Sequence, residues 1–201
     1  MADAPSWLTG RVAVITGAGK GIGRATAEAV AQAGAHVVVA ARTAAQVEEV
    51  AASIRKAGHA ATAVPADVGR PADVDRLFQV AVGIGPPTAL VCAAAVLHKA
   101  AFDETTLARW EETIRINLTG AFLCCQKAFP LMRDAGGGRI VNLGSLSGIY
   151  ATEKFPGLTA YNVSKYGVIG LTEALAVEGR PYGISAVCLS PGAVETEMLR
   201  R

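Results

Sequence analysis

The sequence predicts an α/β fold: a doubly wound parallel sheet with helices on both faces. Three observations lead there. Six apolar runs of strand length recur along the chain, nearly continuous rather than alternating, as in strands covered on both sides. Segments of helical periodicity separate them. Glycines stand where those helices should stop, at Gly34, Gly58 and Gly179 or Gly183.

In chain order the expected strands are RVAVIT (11–16), HVVVAA (36–41), TAVPAD (62–67), TALVCAA (88–94), RIVNLG (139–144) and ISAVCL (184–189). The expected helices are 22–33, 44–57, 71–82, 106–133 and 160–179. Right-handed crossovers make the strands parallel. Pro86-Pro87 marks the entry to the fourth strand, and the glycine run 136–138 reads as a helix-to-strand turn too short to separate domains. The 201 residues are expected to form a single domain.

Composition excludes several classes. The chain is 51% hydrophobic, with a net charge of +2 and no block of like charges, so neither a nucleic-acid surface nor a membrane surface is marked. It has no apolar run of membrane-spanning length. The start, MADAPSWLTGR, lacks the regions of a signal peptide. Cys92, Cys124, Cys125 and Cys188 have no metal-ligand spacing and read as reduced thiols packed as small hydrophobes. A cytoplasmic location is expected.

In such a sheet ligands bind beyond the carboxyl ends of the strands. The first strand runs into Thr16-Gly17-Ala18-Gly19-Lys20-Gly21-Ile22-Gly23, then a helix. The pattern is TGxxxGxG through Gly17, Gly21 and Gly23; the commoner GxGxxG spacing does not fit. Glycines there permit a tight turn and close approach of a pyrophosphate to a helix N-terminus, so a Rossmann-type dinucleotide site is expected. The second strand ends in Ala41-Arg42-Thr43, with no carboxylate for a ribose. Arg42 can fork onto a 2′-phosphate, with Lys20 as a second cation, which favours NADP(H); two solvated surface cations and NAD(H) are the alternative. The third strand ends at Asp67-Val68. That pair can meet an adenine, the acid accepting from its amino group, or Asp67 can be a turn aspartate or cap the helix that starts near Pro71.

After the fifth strand comes Asn142-Leu143-Gly144-Ser145-Leu146-Ser147-Gly148, and after a loop Tyr161 and Lys165. Residues i and i+4 share a helix face. A nearby ammonium should lower the tyrosine's pKa toward neutrality and fit it for proton transfer to a carbonyl or alcohol oxygen. Ser145 can hydrogen-bond the same oxygen, with Ser147 as its rival. Alone, the pair is also compatible with ordinary helix surface.

Taken together, these motifs resemble the short-chain dehydrogenase/reductase family over essentially the whole chain. TGAGKGIG matches its cofactor loop, YNVSK its YxxxK, Ser145 its active-site serine and Asn117, in RINLTGAF, its helix asparagine. Pro191-Gly192-Ala193-Val194-Glu195-Thr196 matches the PGxxxT element that lies against the nicotinamide. The resemblance implies an oxidoreductase moving hydride between nicotinamide and a carbonyl or secondary alcohol. Tyr161 would be the acid or base. Lys165 would tune it and hold the nicotinamide ribose, Ser145 would orient the substrate oxygen, and Asn117 would fix a water linking Lys165 to solvent. Similarity to 3-oxoacyl-[acyl-carrier-protein] reductases suggests a small carbonyl substrate or an acyl-carrier-protein thioester, and the family implies a homodimer or homotetramer. An NAD-dependent alcohol or sugar dehydrogenase, or a nucleotide-binding homologue without efficient turnover, are the alternatives.

Three departures stand out. The family's NNAG is replaced by Cys92-Ala93-Ala94-Ala95; the small Ala94 still leaves room for the adenosine ribose. The Ser145–Tyr161 interval, 16 residues, is longer than usual; Tyr150 and Phe155 in the enlarged loop are candidates for lining the substrate cleft, with an outward-turned loop as the alternative. Family members usually continue well past PGxxxT, so the substrate loop and last strand are expected to be absent from these 201 residues.

Overall fold

The computed structural model describes residues 6–198 and 200. Six strands form one parallel sheet: β1 (Val12–Thr16), β2 (His36–Ala41), β3 (Ala61–Pro65), β4 (Pro87–Cys92), β5 (Gly138–Leu143) and β6 (Ile184–Leu189). Their spatial order is β3-β2-β1-β4-β5-β6, so the direction of winding reverses between β1 and β4. Six α-helices cover it: α1 (Gly21–Gln32), α2 (Ala44–Lys56), α3 (Pro71–Ile84), α4 (Leu107–Ile114), α5 (Gly120–Asp134) and α6 (Thr159–Gly179).

Burial on both faces explains the continuous apolar runs. All five residues of β1 are buried. Val12 and Val14 face one core with Leu77, Phe78, Leu90, Met132 and Ile140. Ala13 and Ile15 face the other, with Val37, Val39, Val47, Val50 and Ile54. Each fully buried side chain of this size contributes about 1.5–3 kcal/mol, and the two-sided pattern fixes the register of Val14 opposite Val38 and Leu90.

Three helices end in the same way. The residue after the left-handed glycine donates back into the last turn, as Ala35 N to Val30 O, His59 N to Ile54 O and Gly137 N to Met132 O. Gly34, Gly58 and Gly136, at φ 99°, 88° and 81°, supply the turn itself. α6 stops at Gly179 and runs through a short 3-10 turn, Arg180–Tyr182, into left-handed Gly183.

The helix expected over 106–133 is interrupted. Arg115–Thr119 widens into a π-helical segment between α4 and α5. Tertiary contacts account for it. The Asn117 side chain grips the backbone of Val96 twice, accepting from its N–H at 2.8 Å and donating to its carbonyl at 2.9 Å. At Gly120 a Cβ would come within 2.6 Å of Val68 Cγ2, so the helix is drawn close to the end of β3. Such segments gather at functional sites.

Cys92, Cys124 and Cys125 are buried free thiols, and Cys188 is half-buried. Contacts with Cys124 and Cys125, together with burial, push the Cys92 thiol well above its usual range, which makes it a poor nucleophile. Among the described residues no helix is long and apolar enough to cross a membrane, and no group of side chains could hold a metal ion.

Candidate active site

The carboxyl ends of β1 and β4 meet at the glycine loop. Gly17 has φ 66°, and a Cβ there would lie 2.6 Å from the backbone of Ala93 and Ala94. A Cβ on Gly23 would lie 2.3 Å from Gly17 O. Ala18 N donates to Ala40 O at 3.0 Å, which ties the loop to β2. Thr16 Oγ1 accepts from Ala94 N at 3.4 Å, so the small residues after β4 seat directly on the loop. α1 opens at Gly21 (φ 56°) with no side-chain cap and no acidic residue in its first turn. Its first N–H groups are left to an anion, and Ile22 begins its half-buried face. These features fit a dinucleotide pyrophosphate.

The segment after β6 spans the loop and the opposite side of the cleft. Leu146 N donates to Pro191 O at 3.2 Å. Gly192 faces Leu146, and a Cβ on Gly21 would meet Thr196 at 3.3 Å. Pro191, Gly192, Val194 and Thr196 therefore run from the Ser145 loop to the start of α1.

Charged residues just past β2 and β3 are placed less simply. Arg42, just past β2, lies 3.6 Å from Glu112 of α4, and Lys20 Nζ lies 2.6 Å from Glu197. Both cations stay about half exposed, 53% for Arg42 and 45% for Lys20. Asp67 pairs with Arg115 at 3.0 Å and accepts from Gly69 N at 2.9 Å. It does not cap α3, whose N-cap is Arg70 without a side-chain bond. Val68 is buried against Gly120.

On the other side of the cleft the structure brings Ser145, Tyr161 and Lys165 together. Ser145 lies just beyond β5, and its hydroxyl is near enough to the Tyr161 phenol to favour the phenolate. It also accepts from Ser147 N at 3.2 Å, an arrangement in which Ser147 contributes backbone only. Lys165 Nζ is buried, 5.6 Å from the Tyr161 ring centroid, and donates to Leu143 O at 2.6 Å. Gly148 clears space for this turn, since a Cβ there would lie 2.7 Å from the Lys165 backbone. Asn117 joins the group through Ser164: its Nδ2 donates to Ser164 Oγ at 3.1 Å, and that hydroxyl donates to Tyr161 O at 2.7 Å.

The electrostatics differ from the sequence expectation. Burial raises the Tyr161 pKa, and the Ser145 hydroxyl only partly offsets it; the lysine does not lower it here. The reason is that the ammonium is directed at the Leu143 carbonyl. Burial also pulls Lys165 down to about 8.

This shift has a stability consequence. Between pH 8 and 10.5 the folded chain sheds the Lys165 proton while the unfolded chain keeps it, so stability rises with pH in that window. Denaturant unfolding of the wild type and of Lys165→Met should show their difference changing in favour of the wild type by up to roughly 3 kcal/mol across it. A difference independent of pH would contradict the buried ammonium.

The enlarged loop turns outward. Tyr150 is 87% exposed and Phe155 68%. Lys154 folds back to donate to Ile149 O at 2.6 Å, and Gly157 O accepts from Ala100 N at 3.1 Å. This is the outward arrangement of the two expected: the loop packs on itself and on the segment after β4, and leaves Tyr150 and Phe155 in solvent.

The short chain dehydrogenase family model matches residues 11–201. The chain belongs to the short-chain dehydrogenase/reductase family. Members of this family are oxidoreductases that use NAD(P). The chain is 37% identical to the uncharacterized oxidoreductase YxjF of Bacillus subtilis over 191 residues, covering 94% of this chain and 73% of that protein. It is 36% identical to a 3-oxoacyl-[acyl-carrier-protein] reductase of Synechocystis over 193 residues, covering 95% and 77% respectively. A solved structure from Beutenbergia cavernae, a proposed NAD(P)-dependent gluconate 5-dehydrogenase with NADP bound at low occupancy, superposes with a TM-score of 0.88. It is 38% identical, and the match covers 96% of this chain and 76% of that one.

For this short-chain dehydrogenase/reductase, sequence reasoning missed Glu112, Arg115, Ser164 and the Leu143 carbonyl. Only the (i, i+3) spacing of Glu112 and Arg115 on one helix hinted that they act on the same side.

Proposed function

We propose that this chain is an NADP(H)-dependent oxidoreductase that interconverts a carbonyl and a secondary alcohol. The observation that supports it most is the joining of Ser145, Tyr161 and Lys165 across the cleft from the glycine loop. Gly17, Gly21, Ile22 and Gly23 would hold the pyrophosphate, Arg42 and Lys20 the 2′-phosphate, and Asp67, Val68 and Ala94 would border the adenosine. Pro191, Gly192, Val194 and Thr196 would lie along the nicotinamide half. The bound nicotinamide supplies or accepts the hydride.

The chain's own residues supply the proton and the alignment. The Ser145 and Tyr161 hydroxyls converge on one oxygen of the substrate. In reduction Tyr161 gives its proton to that oxygen; in oxidation it takes it back. A protonated phenol is the form burial favours, which suits the reductive direction. Lys165, with a pKa near 8, is poised to exchange a proton in the same range. Asn117 fixes the turn of α6 that carries both residues.

The substrate class is proposed as a small ketone or a 3-oxoacyl thioester, on the likeness to the Synechocystis enzyme. A second reading, an NAD(H)-dependent alcohol or sugar dehydrogenase, is favoured by the carboxylates already paired with Lys20 and Arg42. The test is oxidation of C4-deuterated NADPH against ketones, 3-oxoacyl thioesters and keto-sugars. Deuterium on the carbinol carbon of one product supports the proposal. Tight NADPH binding with no turnover on any class would favour a non-catalytic homologue.

A further inference from the structure

α4 and the π-helical segment after it reach across to the ends of two strands. Glu112 Oε1 faces Arg42 NH1 at 3.6 Å, from the end of β2. Arg115 NH1 meets Asp67 Oδ2 at 3.0 Å, from the end of β3. Glu112 is also held from a third direction: its other oxygen lies 2.9 Å from His98 Nε2, in the segment after β4. One carboxylate is thus fixed between a ring and a guanidinium, at the place where the adenosine end of a dinucleotide would lie.

A 2′-phosphate carries up to two negative charges and competes with Glu112 for the Arg42 fork. At 3.6 Å the Arg42–Glu112 contact is longer than a charge-assisted hydrogen bond, and its side chains are 53% and 36% exposed, so phosphate can displace it. The His98 contact holds Glu112 in place when Arg42 turns away. The carboxylate then remains beside the phosphate and repels it. NADH brings no charge to that position, so it neither competes with Glu112 nor is repelled by it.

We infer that Glu112, held by His98, is a specificity-determining residue: it occupies Arg42 in the free chain and narrows the preference for NADPH over NADH. The inference rests on the NADP(H) reading of Arg42. It assigns Glu112 no part in the chemistry.

Calorimetric titration of the full chain with NADPH and with NADH tests it, using wild type, Glu112→Gln, Arg42→Ala and the double variant. Glu112→Gln should tighten NADPH about three- to tenfold while leaving NADH within about twofold. With Arg42 already replaced, the gain from Glu112→Gln should shrink to about twofold or less. Glu112→Asp, which keeps the charge but shortens its reach, should fall between wild type and Glu112→Gln. Glu112 is surface-accessible, and a thermal melt confirms that each variant folds. If Arg42→Ala weakens NADPH selectively but Glu112→Gln leaves NADPH affinity unchanged or weaker, the inference is wrong and the cofactor reading stands. If Arg42→Ala leaves the NADPH-to-NADH ratio unchanged, or the wild type binds neither nucleotide, both are wrong.

Discussion

Tyr161→Phe should lower turnover by about 10²–10⁴-fold while leaving NADPH affinity unchanged. The substitution removes one hydroxyl and keeps the ring beneath which Lys165 Nζ sits, 5.6 Å from the centroid. Folding should survive, because the hydroxyl's partner here is Ser145, itself only half-buried. Losses in kcat without a rise in KM would place the effect in the transition state. Ser145→Ala should act on the same oxygen and be less than additive with Tyr161→Phe. If Tyr161→Phe retains wild-type turnover, the proton route is wrong whatever the cofactor.

Gly17→Ala should be severe for a different reason. Its φ of 66° costs an L-residue about 1–2 kcal/mol. The added Cβ would also meet Ala93 C, Ala93 O and Ala94 N at 2.6 Å, all backbone atoms that cannot rotate away. Overpacking of this kind adds about 1–3 kcal/mol. The β4 end would have to move off the loop, which also opens the pyrophosphate cradle. We expect a loss of roughly 2–5 kcal/mol in unfolding free energy and at least a tenfold loss in nucleotide affinity. Denaturant unfolding and titration of the same preparation would check both. Unchanged stability would contradict the close seating of the loop on Ala93 and Ala94.

What the sequence could and could not disclose divides along the range of the forces involved. The strands fall within a residue or two of their expected bounds because burial on both faces leaves a local signature, as VAVIT in β1 shows. The helix stops were legible for the same reason, a glycine being needed where the chain turns left-handed. The π-helical segment was not legible. It depends on Asn117 reaching Val96, twenty-one positions earlier, a contact no local pattern announces. The motif pointed to Ser145, Tyr161 and Lys165, but their electrostatics follow from burial and from the Leu143 carbonyl, both products of tertiary packing. Likewise Arg42, Lys20 and Asp67 read as available charges, whereas Glu112, Glu197 and Arg115 arrive from distant parts of the chain to meet them.

The account turns on the cleft being a working dinucleotide site. The most direct measurement is a side-by-side calorimetric titration of the 201-residue chain with NADPH and NADH. The account predicts saturable binding at one site per chain, tighter for NADPH than for NADH. Failure to bind either nucleotide by a chain that melts cooperatively would contradict it.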